Sequence, residues 1–348
     1  MEYIGIDVHK NSSQVCILTE DGELIERRIK TDSSNLHSLF NTRPRARILI
    51  ESTTESEWVA RYLEELGQQV IVADPNFAPM YATRSKKVKT DKRDARTLCE
   101  ACRLGAYRQA HRTSDKQRDV RAHLAVRETL VQTRAKYISL IGALARREGC
   151  RIKSGVSRSF AARVEQADLP QHVLIQIEPL LIMLKALNDQ IKQADGKLAE
   201  IAKDDEVIKR LATVPGVGPV TATTYAATID GVARFQDAKQ VRSYLGLVPR
   251  ENSSGEKQHR GRISKAGNSR VRSLLVEAAW SLLRWKTPKT QALHEWAMRI
   301  ASRRGKAIAV VALARKMAGI LFAIWRDGTE FNPEHLSDQQ AFGTPVQA

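Results

Sequence analysis

Five short β-rich runs fall within the first 75 residues, and their order constrains this chain more than any other feature. Residues 3–8, 14–18 and 24–29 follow one another with only turns between them, the second turn being Glu20-Asp21-Gly22-Glu23. Three consecutive strands joined this way predict an antiparallel meander. The runs at 47–51 and 70–73 are instead separated by helical spacing over 58–66, which Gly67 closes. That change of order, from hairpins to β-α-β, predicts an α/β domain.

The rest of the chain reads as helical. Residues 90–104 open with Thr90-Asp91, a good N-cap pair. A helical pattern returns over 115–147, with Leu130, Tyr137 and Leu144 at heptad spacing. Ile177, Leu180, Leu184, Leu187, Ile191, Ala194, Leu198 and Ile201 then alternate spacings of three and four, interrupted only by Pro179. Residues 115–205 are expected to form an antiparallel helical hairpin or a coiled coil, which fits an intramolecular pair and a dimerisation arm equally well. Residues 206–325 are expected to be mostly helical, with Trp280, Trp285, Trp296 and Trp325 as core anchors, and the polar tail to carry little structure. The expected domains are 1–110, 111–205, 206–328 and a tail, 329–348.

Charge narrows the class of partner. Lys and Arg number 56 against 39 Asp and Glu, a net of +17. Residues 241–326 carry 18 basic against 4 acidic side chains, and residues 84–118 carry 12 against 4, so the remainder is net negative. Two concentrated basic zones point to a polyanion, most simply nucleic acid. Four cysteines are too few for a disulfide scaffold, and Cys99-x-x-Cys102 has no second pair for zinc. His9, His111, His123 and His259 show no ligand spacing. Aromatic residues make up only 5%, which argues against a stacking platform for single strands. The start shows no signal-peptide pattern, and Arg315 and Lys316 break the late apolar stretch, so a soluble intracellular protein is expected.

Carboxylates are the strongest chemical signal. Asp7 ends the first strand, Glu51 ends the fourth, and Asp91 and Asp94 stand three apart on one helical face. Converging carboxylates repel unless a cation neutralises them, and hard oxygen donors suit Mg²⁺. Lys89, Lys92 and Arg93 beside them suit a nucleic-acid backbone. Taken singly, Asp91 also fits a helix cap and Glu51 a surface acid. Further along, Val214-Pro215-Gly216-Val217-Gly218-Pro219 resembles a helix-hairpin-helix turn, whose glycines let backbone amides reach a phosphate; a plain interhelical turn fits as well. Ser253-Ser254-Gly255 lies among basic residues and reads as a simple loop or as the seat of a serine nucleophile. No Gly-x-Ser-x-Gly and no hydrolase-like His/Asp partner accompany it, which argues against a protease or esterase reading.

Taken together, Ile4-Gly5-Ile6-Asp7, Ile50-Glu51-Ser52-Thr53 and Lys89-Thr90-Asp91-Lys92-Arg93-Asp94-Ala95-Arg96 resemble the DEDD tetrad of a family of insertion-sequence transposases. These are relatives of Piv-type invertases and of bridge-RNA-guided recombinases. Tyr244-Leu245-Gly246-Leu247-Val248-Pro249-Arg250 and Gly261-Arg262-Ile263-Ser264-Lys265-Ala266-Gly267-Asn268 resemble that family's C-terminal domain. The resemblance implies an RNase H/RuvC-like fold for 1–110 and a long helical arm. It implies Mg²⁺ held by Asp7, Glu51, Asp91 and Asp94, and a serine nucleophile, here Ser254 because Gly255 follows it, with Ser253 as the alternative. It further implies DNA as substrate, a guide RNA as partner, a homodimer or homotetramer with a composite active site, and a cytoplasmic, nucleoid-associated location. Arg250, Arg260, Arg262 and Lys265 become phosphate clamps. The chain departs from the family at Thr54-Glu55-Ser56-Glu57-Trp58, where Gly and an aromatic are usual. Two other readings keep part of this: a metal-dependent nuclease or junction resolvase without a covalent intermediate, and a non-catalytic nucleic-acid-binding scaffold.

Overall fold

The computed structural model describes residues 1–82, 90–254 and 257–334, with backbone alone for 252–254 and 257–260. The chain divides into two compact units, Met1–Thr113 and Ser114–Ala348.

The first unit is built on a five-stranded sheet of order β3-β2-β1-β4-β5. Its strands are β1 (Tyr3–Val8), β2 (Ser12–Leu18), β3 (Leu24–Lys30), β4 (Arg47–Glu51) and β5 (Gln69–Ala73). β1, β2 and β3 pair antiparallel, while β1–β4 and β4–β5 are parallel. Helix α1 (Ser33–Phe40) precedes β4, α2 (Ser56–Glu65) links β4 to β5, and α3 (Asp91–Leu104) follows.

Side-chain alternation assigns the two faces of the sheet. Ile4, Ile6, Val8, Ile48 and Ile50 are buried together with Phe40 of α1 and with Val59 and Leu63 of α2. On the opposite face Leu49, Ile71 and Ala73 pack with Leu98, Ala101 and Cys102 of α3. The edge strand β3 presents Arg27, Arg28 and Lys30 to solvent, which discourages pairing with another chain. The mixed sheet with helices on both faces is compatible with an RNase H/RuvC-like fold. Helix α1 was not expected. Asp32 caps it by accepting the Asn35 amide at 2.8 Å, and Leu36 and Phe40 form its buried stripe.

The second unit opens with two 33-residue helices, α4 (Asp115–Arg147) and α6 (Gln171–Lys203), joined through the short α5 (Phe160–Glu165). Their partners run in opposite order: Lys116 with Asp205, Arg127 with Asp195, Arg134 with Asn188, and Glu148 with His172. The pair is therefore antiparallel, and each helix spans about 50 Å. Ile141, Ala145, Ile177 and Leu184 form part of the seam. Pro179 does not interrupt α6. It lies on the exposed side, where its missing amide costs least.

Helices α7 (Glu206–Leu211), α8 (Pro219–Ile229), α9 (Ala238–Tyr244), α10 (Ser269–Arg284), α11 (Gln291–Arg304) and α12 (Lys306–Asp327) share one apolar core around Tyr225, Leu275, Leu313 and Phe322. By length and composition α12 is apolar enough to cross a membrane, but its buried side chains lie at the centre of this core. Trp280, Trp296 and Trp325 pack against the core; Trp285 does not, being 72% exposed just beyond α10.

A two-stranded hairpin interrupts the helices. β6 (Pro249–Ser254) pairs antiparallel with β7 (Lys257–Ile263), with an irregularity between Pro249 and Glu251. The expected loop around the serines is thus a strand end. These strands alternate no apolar residues, so sequence pattern gives no warning of them; Ile263 at the end of β7 packs on the helical core.

Candidate active site

The site begins with the alternation of β1. Ile6 points into the core, so Asp7 points to the other face, the one that α3 covers. β4 runs parallel to β1 with Ile50 opposite Ile6. One residue further, Glu51 therefore emerges beside Asp7 on the same face. Gly5, two residues before Asp7, is where α3 comes closest. A Cβ there would overlap the Ala95 carbonyl oxygen and the Cys99 amide nitrogen. The absent side chain lets the helix backbone rest on the strand. That contact brings the first turn of α3, with Asp91 and Asp94, to the end of β1.

Thr90 is the N-cap of α3, accepting the Arg93 amide at 3.3 Å. The capping therefore falls to Thr90 and leaves the Asp91 carboxylate available to the site. Both aspartates lie in the first turn, where the positive end of the helix favours negative charge. Asp7 is only 8% exposed. Burial pushes its carboxyl above the usual range; His9 opposes this, while Asp94, Asp91 and Glu51 push further upward. Asp91, Asp94 and Glu51 thus all act on Asp7, but of the expected carboxylates only Asp91 shares with it a cluster tight enough for one ion among the described residues.

The structure adds a residue that the sequence reading dismissed. His9 Nε2 lies 3.2 Å from Asp7 Oδ2 and 3.5 Å from Asp91 Oδ1. One ligand atom from each of Asp7, His9 and Asp91 falls within 4.8 Å of the others. Asp-x-His at a strand end was the available signal, but Asp91 reaches it only through the packing of α3. The carboxylates are hard oxygen donors that fit a cation such as Mg²⁺, and a cation there relieves the cost of a buried, crowded Asp7. The imidazole is a softer donor at the exposed rim.

The expected phosphate contacts are distributed unevenly. Lys92 forms an ion pair with Glu26 of β3 at 2.6 Å, and Arg93 is exposed. Lys89 lies outside the described residues. In the second unit Arg250, Arg262 and Lys265 are exposed, and Lys265 adopts a left-handed φ of 57°. Ser253 and Ser254 close β6, Ser254 opposite Lys257; their side chains and that of Arg260 lie outside the description, as does Gly255. Gly216 has a φ of 80°, and a Cβ there would come within 3.1 Å of the Ala278 carbonyl oxygen. Packing on α10 thus accounts for Gly216. Gly218 is exposed at the N-cap of α8, with space around it. Cys99 and Cys102 donate to the carbonyls of Tyr3 and Arg47 from buried positions, as structural thiols do.

Two family models match the chain. One, described as a transposase and named for the DEDD tetrad and IS110, covers residues 4–146. The other, the transposase IS116/IS110/IS902 family, covers residues 208–295. This chain belongs to the DEDD-type insertion-sequence transposases.

Relatives of the transposase span nearly its full length. A "Probable family 20 transposase" of Pseudomonas aeruginosa is 29% identical, covering 95% of this chain and 98% of the relative. The transposase for insertion sequence element IS1111A of Coxiella burnetii is 28% identical over 93% of this chain and 89% of its own length. That for IS1328 of Yersinia enterocolitica is 29% identical over 94% and 98%. The protein is accordingly a DNA transposase, and its DEDD domain implies a divalent metal.

Proposed function

We propose that this transposase cuts and rejoins DNA strands with Mg²⁺ held by Asp7, Glu51, Asp91 and Asp94 and with Ser254 as nucleophile. The observation that supports the reading is a buried Asp7, raised by its burial and by the charges of Asp94, Asp91 and Glu51, with Asp91 close enough to share an ion with it. Bound there, Mg²⁺ supplies charge neutralisation to the scissile phosphate and lowers the pKa of the attacking hydroxyl.

Ser254 Oγ gives up its proton and bonds to phosphorus. The bond from phosphorus to the next nucleotide's oxygen breaks, and that oxygen takes a proton. A phosphoserine link preserves the diester's energy, so a hydroxyl from another strand reverses the step and joins new ends. Arg250, Arg260, Arg262 and Lys265, near the same hairpin in sequence, clamp the backbone, with Lys89, Lys92 and Arg93 serving the metal site. The turn around Gly216 and Gly218, read as a helix-hairpin-helix, offers the exposed start of α8 to a further phosphate.

The four-domain division (1–110, 111–205, 206–328 and the tail) belongs to the same reading. So do a guide RNA as partner and a homodimer or homotetramer built through the helical arm. The exposed Ile175 and Ile182, seven residues apart on α6, support the arm as a contact surface. The test is strand transfer on DNA carrying the element ends. Asp7→Asn and Glu51→Gln should each lower it by at least about 100-fold, on the scale of losing one electrostatic contact to the transition state. Undiminished transfer in both would contradict the metal site.

A further inference from the structure

A second basic locus lies within the C-terminal unit, reaching from the base of the serine hairpin to the last helices. It is a groove of about 1670 Å³ between α9, the base of the β6–β7 hairpin, α11 and α12. Its walls are largely aliphatic, with Leu247, Ile263, Val311 and Ile320, and Trp296 stands at one side. Arg242, Arg262, Arg304, Arg315 and Lys316 also line it, with two acids, Glu330 and Asp327, the latter paired with Arg326. This volume exceeds what a small molecule needs and suits a segment of polymer.

The cations in this groove are placed at a cost. Arg242 lies with its guanidinium over Gly319, in the middle of α12, where any Cβ would overlap it. A glycine inside a 22-residue helix is less favourable than alanine, and here it makes the seat for that guanidinium. Arg242 Nε is buried and has no hydrogen-bond partner. Burial and the charge of Arg315 both disfavour the charged form of Arg242. Lys316 lies with Nζ 4.7 Å from the centre of the Trp296 ring, its charge disfavoured by burial and by Arg242 and Arg299. Asp237 favours Arg242's charge through space but uses its Oδ1 on the amides of Lys239 and Gln240. Among the described residues, no carboxylate comes within ion-pair reach of Arg242, Arg315 or Lys316. Crowded, half-buried cations without a counter-ion are destabilising unless an anion completes them.

We infer that this groove holds a single-stranded segment of DNA, with its phosphates on Arg242, Arg315 and Lys316 and its sugars and bases along the aliphatic wall. The inference rests on the reading of the protein as a DNA-strand transposase, because strand exchange produces unpaired DNA that must be held.

The test is equilibrium binding of a labelled single-stranded oligodeoxynucleotide to the full-length protein over a range of salt, with divalent metal chelated. Without metal no strand is cut, so the outcome is independent of whether Ser254 and the tetrad do the chemistry. The variant Arg315→Gln/Lys316→Gln should bind at least about tenfold more weakly at 0.1 M salt. Its plot of log Kd against log salt should be shallower by about 1.4, for two lost phosphate contacts. A second variant guards against misfolding and against a general charge effect. Gly319→Ala favours the helix and removes no charge but displaces Arg242, and it should weaken binding about fivefold. Unchanged affinity and slope in both variants would overturn the inference. So would preferential loss of affinity for an RNA of the same sequence, which would assign the groove to RNA.

Discussion

Gly5 of β1 and Ala95 of α3 meet backbone to backbone, and the carbonyl oxygen of Ala95 occupies the space a side chain on Gly5 would need. Asp7 lies two residues further along the same face of β1; on α3, Asp91 lies one turn before Ala95 and Asp94 immediately before it. The carboxylate cluster therefore depends on a glycine that contributes no chemistry.

Gly5→Ala is expected to force strand and helix apart. The obstacles are backbone atoms that cannot rotate away, so the cost should be about 1–3 kcal/mol. Urea unfolding followed by circular dichroism measures it. Calorimetric titration with Mg²⁺ should show weakened binding in the folded variant. Wild-type stability together with wild-type Mg²⁺ affinity would mean that α3 is not seated by this contact.

Asp7 carries a pH signature. A carboxyl whose folded pKa is raised holds its proton more readily in the native state than in the unfolded one. Its contribution favours folding at low pH and is lost as pH rises from the ordinary carboxylate range through the raised value. Metal-free Asp7→Asn should therefore melt above wild type at pH 7, with the gap closing toward pH 4. Mg²⁺ should raise the wild-type midpoint, through a stabilisation of about 2.7 kcal/mol at a hundredfold excess over Kd, and leave the variant unmoved. A metal-free variant that melts below wild type at pH 7 would contradict the account.

Arg112 ties the end of the first unit to α2. It donates to Glu57 at 3.0 and 3.1 Å and to Glu64 at 2.5 and 3.0 Å, with the charge on Arg112 strongly favoured by these bonds. Arg112→Ala should cost about 2 kcal/mol in thermal unfolding. Lysine should recover little of it, because a point charge cannot reproduce two forked contacts.

On the helical arm, Ile175 and Ile182 are exposed while Ile177 and Leu184 are buried in the α4–α6 seam. Ile175→Glu/Ile182→Glu should lower self-association in sedimentation with unchanged helix content. Leu184→Ala should instead cost about 2–5 kcal/mol of stability, the range for a core cavity.

Much of this architecture was legible because it follows alternation and periodicity. Ile4-Gly5-Ile6-Asp7 reads as a strand whose last polar residue faces away from the core, and Thr90-Asp91 reads as the start of a helix. What escaped notice lacked a local pattern or needed distant contact. His9 gains its meaning from Asp91, which is 82 positions away in sequence. The β6–β7 hairpin has polar strands with no apolar alternation to announce them. Trp285 follows the apolar rhythm of α10 but stands past its end, so it is exposed rather than packed. Helix α1 did carry a signal, Asp32 followed by Leu36 and Phe40 four apart.

The most direct test of the account is to trap the covalent intermediate. The protein is incubated with Mg²⁺ and DNA carrying the element ends, denatured, and digested, and the peptide linked to nucleotide is identified by mass spectrometry. The account predicts a phosphodiester on Ser254, absent in Ser254→Ala and in Asp7→Asn, with DNA binding retained by Ser254→Ala. An adduct that persists in Ser254→Ala, or cut strands with free ends and no adduct in the wild type, would contradict it.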